Sequence, residues 1–149
     1  MTGGNEADRD SVRDMIREIY AILSGPPGPR PYQTVKRHYD PRATLVRTGV
    51  DDAGRAFATV MSVDEHHADV DQKLADIAFL EEEIAHECEI FGNIARVRSV
   101  YRSVYGSESA AIENRGVNFF NLVKRDGVWK IMSIVWDNER PGLKLDDPR

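Results

Sequence analysis

Phe79-Leu80-Glu81-Glu82-Glu83-Ile84-Ala85-His86-Glu87-Cys88-Glu89-Ile90-Phe91, then Gly92-Asn93, then Ile94-Ala95-Arg96-Val97-Arg98-Ser99-Val100-Tyr101-Arg102, is the stretch that decides the fold. Its polarity alternates with a period of two, as it does along a strand with one buried face. A two-residue turn at Gly92-Asn93 sets Phe91 opposite Ile94. That register pairs Glu89 with Arg96, Glu87 with Arg98 and Glu83 with Arg102. Each opposite-charge pair across two strands contributes about 0.2–1 kcal/mol, and a slip of one residue would lose all three. The other face then carries Cys88 against Val97, His86 against Ser99, and Ile84 against Tyr101. The strands predicted here are 79–91 and 94–105.

Downstream, Asp126-Gly127 is a favoured hairpin turn and predicts strands over 115–125 and 128–137. The register sets Lys124 opposite Trp129, Leu122 opposite Ile131, Phe120 opposite Ser133 and Asn118 opposite Val135. Both faces of this hairpin are substantially apolar. One must cover helices, and the other is expected to meet a second subunit, giving a homodimer through the sheet.

Upstream, Val12, Met15, Ile16, Ile19, Tyr20 and Leu23 recur at helical spacing and predict an amphipathic helix over 8–23. The run Gly25-Pro26-Pro27-Gly28-Pro29-Arg30-Pro31 ends it. A short second helix is expected around Tyr32, Val35 and Tyr39, stopped at Asp40-Pro41. Short strands are expected at 44–48 and 57–61. Ser62-Val63-Asp64-Glu65 has capping-box spacing and predicts a third helix to about Ala75. The chain thus reads as one α+β domain over residues 1–149, with a disordered tail at 1–7, the fold at 8–137 and a C-terminal tail at 138–149.

Composition bounds the function. The chain has 149 residues, 41% hydrophobic and 30% charged, which is ample for a packed core and unlike a disordered chain. No apolar run approaches the ~18 residues of a membrane helix. Residues 1–10 are polar and acidic, so no secretory signal is expected and the cytoplasm is the expected compartment. The net charge of −5 argues against general nucleic-acid binding. Cys88 is the only cysteine and reads as a buried small hydrophobe, so no intrachain disulfide can form.

Three helices followed by a curved sheet is the element order of the nuclear transport factor 2-like (cystatin-like) superfamily. The segments Ser24-Gly25-Pro26-Pro27-Gly28, Tyr39-Asp40-Pro41-Arg42-Ala43-Thr44-Leu45, Phe91-Gly92-Asn93-Ile94-Ala95, Arg115-Gly116-Val117-Asn118, Asp126-Gly127-Val128-Trp129-Lys130-Ile131 and Val135-Trp136-Asp137 resemble the bacterial SnoaL-like branch. The resemblance covers roughly residues 8–140. It implies a strongly bent antiparallel sheet wrapped around three helices, as a cone with an apolar pocket. The superfamily includes ketosteroid isomerases, scytalone dehydratases, limonene epoxide hydrolases and polyketide cyclases, and also domains that catalyse nothing.

Two functions fit this reading. The first is a cofactor-free acid–base enzyme, an isomerase, dehydratase or cyclase, acting on an apolar substrate. His86 would transfer the proton and Asp137, placed by the register on the face of Ile131 and Asn118, would orient it. Tyr20, Ser99, Tyr101, Asn118 and Phe120 would contact the substrate. Tyr20 falls near a first-helix tyrosine of the isomerases, whereas Arg47 stands near their aspartate base and cannot act as one. The second is a non-catalytic ligand-binding or dimeric interaction module, in which His86 is a hydrogen-bonded core histidine and Asp137 caps the strand end. No metal or other cofactor is expected: the chain lacks an HExxH run and paired cysteines, and adjacent His66 and His67 diverge on a helix.

Overall fold

The computed structural model describes residues 3–106 and 109–146. Helix α1 spans Gly3–Leu23, β1 Tyr39–Val50, β2 Ala56–Ser62, α2 Val63–Lys73, β3 Phe79–Phe91, β4 Ile94–Tyr105, β5 Ile112–Arg125 and β6 Val128–Asn138. Two 3₁₀ turns, Tyr32–Thr34 and Lys36–His38, stand where a second helix is expected. The six strands form one sheet in the order β2-β1-β6-β5-β4-β3. Five neighbours pair, four of them antiparallel, but β1 and β6 run parallel. The sheet is therefore mixed, and the expected all-antiparallel sheet is corrected. The helix starts at Gly3, so residues 3–7 continue α1 rather than forming a disordered tail.

Helix α1 buries Val12, Ile16, Ile19 and Tyr20 against Val97, Tyr101, Phe120, Leu122, Ile131 and Ile134 of the sheet. Its C-terminus runs into the proline-rich segment, where one side chain satisfies several orphan carbonyls. Arg30, itself buried, donates from Nε to Leu23 O (2.7 Å) and from its guanidinium nitrogens to Pro26 O, Gly28 O and Gly25 O. A cation there also meets the negative end of the helix dipole. Gly25 and Phe79 exchange backbone hydrogen bonds, tying this segment to the start of β3. Helix α2 opens with the expected capping box: Glu65 N donates to Ser62 Oγ at 3.1 Å and Ser62 N to Glu65 Oε1 at 2.8 Å.

Asp40-Pro41 does not stop the chain; it lies within β1, where pairing with β6 is irregular between Tyr39 and Thr44. Proline is tolerated at such a bulge because it removes only one ladder donor.

Two further bulges reset the predicted register. The first hairpin pairs as expected from Phe91–Ile94 to His86–Ser99, but Ile84 is an extra residue. Beyond it, Glu83 faces Tyr101 and Glu82 faces Arg102, correcting the Glu83–Arg102 and Ile84–Tyr101 pairs. In the second hairpin Lys124–Trp129 and Leu122–Ile131 hold, and Met132 is extra. Phe120 then meets Ile134 and Asn118 meets Trp136, correcting the Ser133 and Val135 pairings. One inserted residue exchanges the faces of everything on its far side.

The sheet also admits one close approach that fixes a residue type. A Cβ built on Gly116 would lie 2.6 Å from both Asn138 Oδ1 and Asp137 O, and would strike the Tyr101 hydroxyl. Tyr101 donates its proton to Asn138 Oδ1 across that space. Gly116→Ala should therefore cost about 1–3 kcal/mol through overpacking. Urea unfolding of the variant checks this, and a wild-type midpoint would show that β5 yields without cost.

Candidate functional site

Between α1, α2 and the concave sheet face lies a cavity of about 220 Å³. Its wall is mostly apolar, with Ile19, Leu23, Val35, Leu45, Phe79 and Ile134 among its members. Four residues singled out from sequence line it: Tyr20 on α1, Tyr101 on β4, and Asn118 and Phe120 on β5. Ser99 lies behind Tyr20, fully buried. His86 and Asp137 are not among the lining residues.

His86 sits on the concave side, outside the cavity wall, and bonds Glu83, a carboxylate expected from alternation in the exposed ladder. Its Nδ1 is 2.8 Å from Glu83 Oε2, and both side chains are almost fully buried. Ser99 Oγ donates to the same oxygen at 2.6 Å. Tyr20 Oη lies 2.7 Å from Ser99 Oγ, and Asn118 Nδ2 donates to Tyr20 Oη at 2.8 Å. Donor accounting gives this chain one direction. The serine proton is committed to the carboxylate, so the tyrosine proton goes to the serine, and the asparagine amide donates to the tyrosine oxygen. The order is Asn118 to Tyr20 to Ser99 to Glu83, with His86 closing the far end.

Hydrogen bonding to the Cys88 side chain and to Glu83 holds His86 up at about 9, against the opposing effect of burial. The imidazolium is therefore the dominant form at neutral pH, and it bonds the Glu83 side chain. Burial pushes the Tyr20 and Tyr101 hydroxyls far above their ordinary value, so both stay neutral.

Asp137 faces away from this network because the Met132 bulge turns it to the other side of the sheet. It accepts from Asn138 N and from Arg140 Nη1, both at 2.8 Å. Burial raises its pKa, but these hydrogen bonds outweigh it and the net shift is downward. This is the geometry of a strand-end cap, and the expected pairing of Asp137 with His86 is corrected: Glu83 is the partner.

The residue that the sequence reading missed is Glu81. The bulge at Ile84 puts it on the concave side, two residues from Glu83, and it lines the cavity with Tyr20 and Tyr101. Among the described residues no side-chain or backbone donor reaches its carboxylate. Burial lifts its pKa to about 8. The only hint in the sequence is the adjacent apolar pair Ile84-Ala85, which breaks strict alternation at the point of the bulge.

The other end of the cavity holds Arg47, His66, Lys73 and Trp136. Arg47 Nη2 is 2.6 Å from Asp69 Oδ2, and Lys73 Nζ is 3.2 Å from the same oxygen. Burial drives His66 down to about 3, so it is neutral. His67 is stacked on Tyr32 with ring centroids 3.9 Å apart, a core contact. Among the described residues no group of three or more His, Cys, Asp or Glu side chains could hold a metal ion, and no helix is long and apolar enough to cross a membrane.

No family model matches the chain, and no curated protein does. Solved structures do. A candidate scytalone dehydratase of Novosphingobium aromaticivorans superposes with a TM-score of 0.70 at 14% identity, over 94% of this chain and 89% of that one. An uncharacterised Caulobacter vibrioides protein with a cystatin-like fold gives 0.65 at 13%, over 90% and 91%. The hub homology domain of a Chlamydomonas reinhardtii CaMKII gives 0.64 at 16%, over 89% and 99%. The chain has the nuclear transport factor 2-like, cystatin-like fold, an α+β cone around a pocket.

The His86–Glu83 pair yields a prediction with a definite sign. A histidine whose folded pKa is raised from about 6.5 to about 9 contributes stability in full below 6.5, and loses it as pH rises through 9. His86→Gln should thus lower the unfolding midpoint clearly at pH 6 and much less at pH 10. An equal loss at both values, in thermal unfolding monitored by circular dichroism, would assign His86 a packing role without charge.

Proposed function

We propose that this protein is a small-molecule pocket protein that carries out cofactor-free proton transfer on a largely apolar substrate, with Glu81 as the transferring group. One observation carries the reading: a carboxyl group stands in an apolar cavity with no hydrogen-bond donor of its own. Such a group pays for its placement in stability and gains a pKa near the working range of an acid–base catalyst. Tyr101 and Phe120 flank the substrate space. Asn118 offers the cavity an amide donor, since one of its two N–H groups is taken by Tyr20. Ser99, Glu83 and His86 act behind Tyr20, fixing its orientation; His86 is a positioning residue in this scheme and Asp137 has no part in it.

The size of the cavity limits the substrate. An apolar cavity of about 150 Å³ accommodates benzene, so about 220 Å³ suits one or two rings. Proton abstraction beside a carbonyl is the simplest reaction the groups support: Glu81 takes the proton from carbon, and the Asn118 amide stabilises the oxygen that gains charge. Isomerisation, dehydration and aldol-type cyclisation all begin with this step.

A second reading rests on a separate surface. The convex face exposes Phe91, Ile94, Phe119 and Val128, and solved structures of similar fold include CaMKII association domains. Self-association through this face is compatible with either a catalytic or a purely binding role.

The test is exchange of the α-protons of one- and two-ring ketones with deuterated solvent, followed by NMR. The rate should rise with pH and level off above about 8, where Glu81 is ionised and can accept a proton. Glu81→Gln should lower it by about 10²–10⁴-fold. The same variant should be more stable than wild type. Glu81 keeps its proton in the fold up to about 8 but loses it near 4.5 when unfolded, so its stability contribution falls as pH rises between those values. The gain from glutamine should be absent at pH 4 and full above pH 8. Wild-type exchange rates in Glu81→Gln would sink the proposal.

A further inference from the structure

The charged groups in the cavity wall are unevenly placed. Glu81 stands at one end, among tyrosines. Arg47 and Lys73 stand at the other, and both reach the same carboxylate oxygen of Asp69. Two cations therefore share one anion, leaving an excess of one positive charge at this end, where the Lys73 side chain is half-exposed. Among the described residues neither Arg47 nor Lys73 has another ion-pair partner. His66 and His67 have pKa values lowered by burial and are neutral.

Arg47 is also under-used as a donor. Its guanidinium has five N–H groups in a planar fork. Only Nη2 has an acceptor among the described residues, namely Asp69. The cation is positioned over the Trp136 ring, with Cζ 5.7 Å from the centroid. Its Nε and Nη1 are left for something else, and a second carboxylate is the ligand that such a fork recognises in two-point fashion.

We infer that the cavity takes a small carboxylic acid of one or two rings as its monoanion, with the carboxylate held by Arg47 and Lys73 at the mouth and the apolar body lying against Tyr20, Tyr101 and Phe120. This rests on the reading of the cavity as a ligand site, but not on proton transfer by Glu81. It deepens that reading by fixing the ligand's direction: the end carrying the charge stays at the mouth, and the carbon skeleton points toward Glu81.

Isothermal titration calorimetry at pH 7 with phenylacetate and 1-naphthylacetate, each beside its uncharged primary amide, tests the inference. The acids should bind at least ~10-fold more tightly than the amides. Arg47→Gln should remove most of that preference and leave amide affinity near wild type. Lys73 is half-exposed, so Lys73→Gln keeps the fold and should reduce acid affinity by a smaller factor, about 3-fold. Equal affinity for acid and amide, or an equal loss of both in the variants, would overturn the anion site while leaving the cavity a ligand site. Failure of every compound to bind the folded protein would overturn both. Calorimetry reads binding alone, so a null result in the exchange assay leaves a measured acid preference standing.

Discussion

The single extra residue at Ile84 is the constraint on which the interior depends. Without it, Glu81 and Glu83 would share the solvent face with Glu87 and Glu89, and Glu82 and Leu80 would point into the cone. With it, both are drawn inside, while Glu82 and Leu80 turn out in their place. A bulge costs a ladder hydrogen bond and local twist. Here it also carries the burden of two acids brought under α1. The structure treats the two differently. Glu83 receives the Ser99 hydroxyl and the His86 ring on Oε2, and Arg17 Nε lies 3.8 Å from its Oε1. Glu81 receives nothing, so burial raises its pKa instead. Two carboxyl groups two residues apart on one strand are thus given different surroundings, one with partners and one without.

The two ends of the cavity follow from different parts of the chain. The tyrosine–serine–glutamate network belongs to α1, β3, β4 and β5, the antiparallel portion. The arginine–aspartate–lysine cluster belongs to β1 and α2, which reach the cavity only because β1 pairs parallel to β6. Had β1 been absent or placed at the other edge, the pocket would lack its cationic end. Topology, rather than any local motif, makes the site bipolar.

How much of this the sequence discloses depends on the scale of the feature. The six strands, the capping box at Ser62 and the hairpin turns are legible because they rest on periodicities and turn residues close together in the chain. Tyr20 is legible as a pocket residue from its place on the apolar face of α1, and Tyr101, Asn118 and Phe120 because the bulges lie on β3 and β6 and leave the alternation along β4 and β5 intact. Glu81, Glu83 and Asp137 are misassigned for one shared reason: each lies beyond a bulge, and alternation carries no memory of an inserted residue. Ile84 and Met132 are ordinary strand residues, so nothing in their chemistry announces that they are supernumerary. The parallel β1–β6 contact is likewise invisible, because it joins segments some ninety residues apart with no turn between them. In the sequence Arg47 reads only as a residue that cannot be a base, and its ion pair with Asp69 appears only once α2 is laid over the sheet.

The fixed direction of the Asn118–Tyr20–Ser99–Glu83 chain has a consequence for how the cavity floor can respond. Each hydroxyl donates to the group after it, and the last donates to the Glu83 carboxylate. Turning the tyrosine hydrogen toward an incoming acceptor would break only its bond to the serine, because Ser99 would keep its own bond to Glu83. The floor thus has one resting sense, and an acceptor on a ligand competes with the Ser99 oxygen alone for the tyrosine's proton.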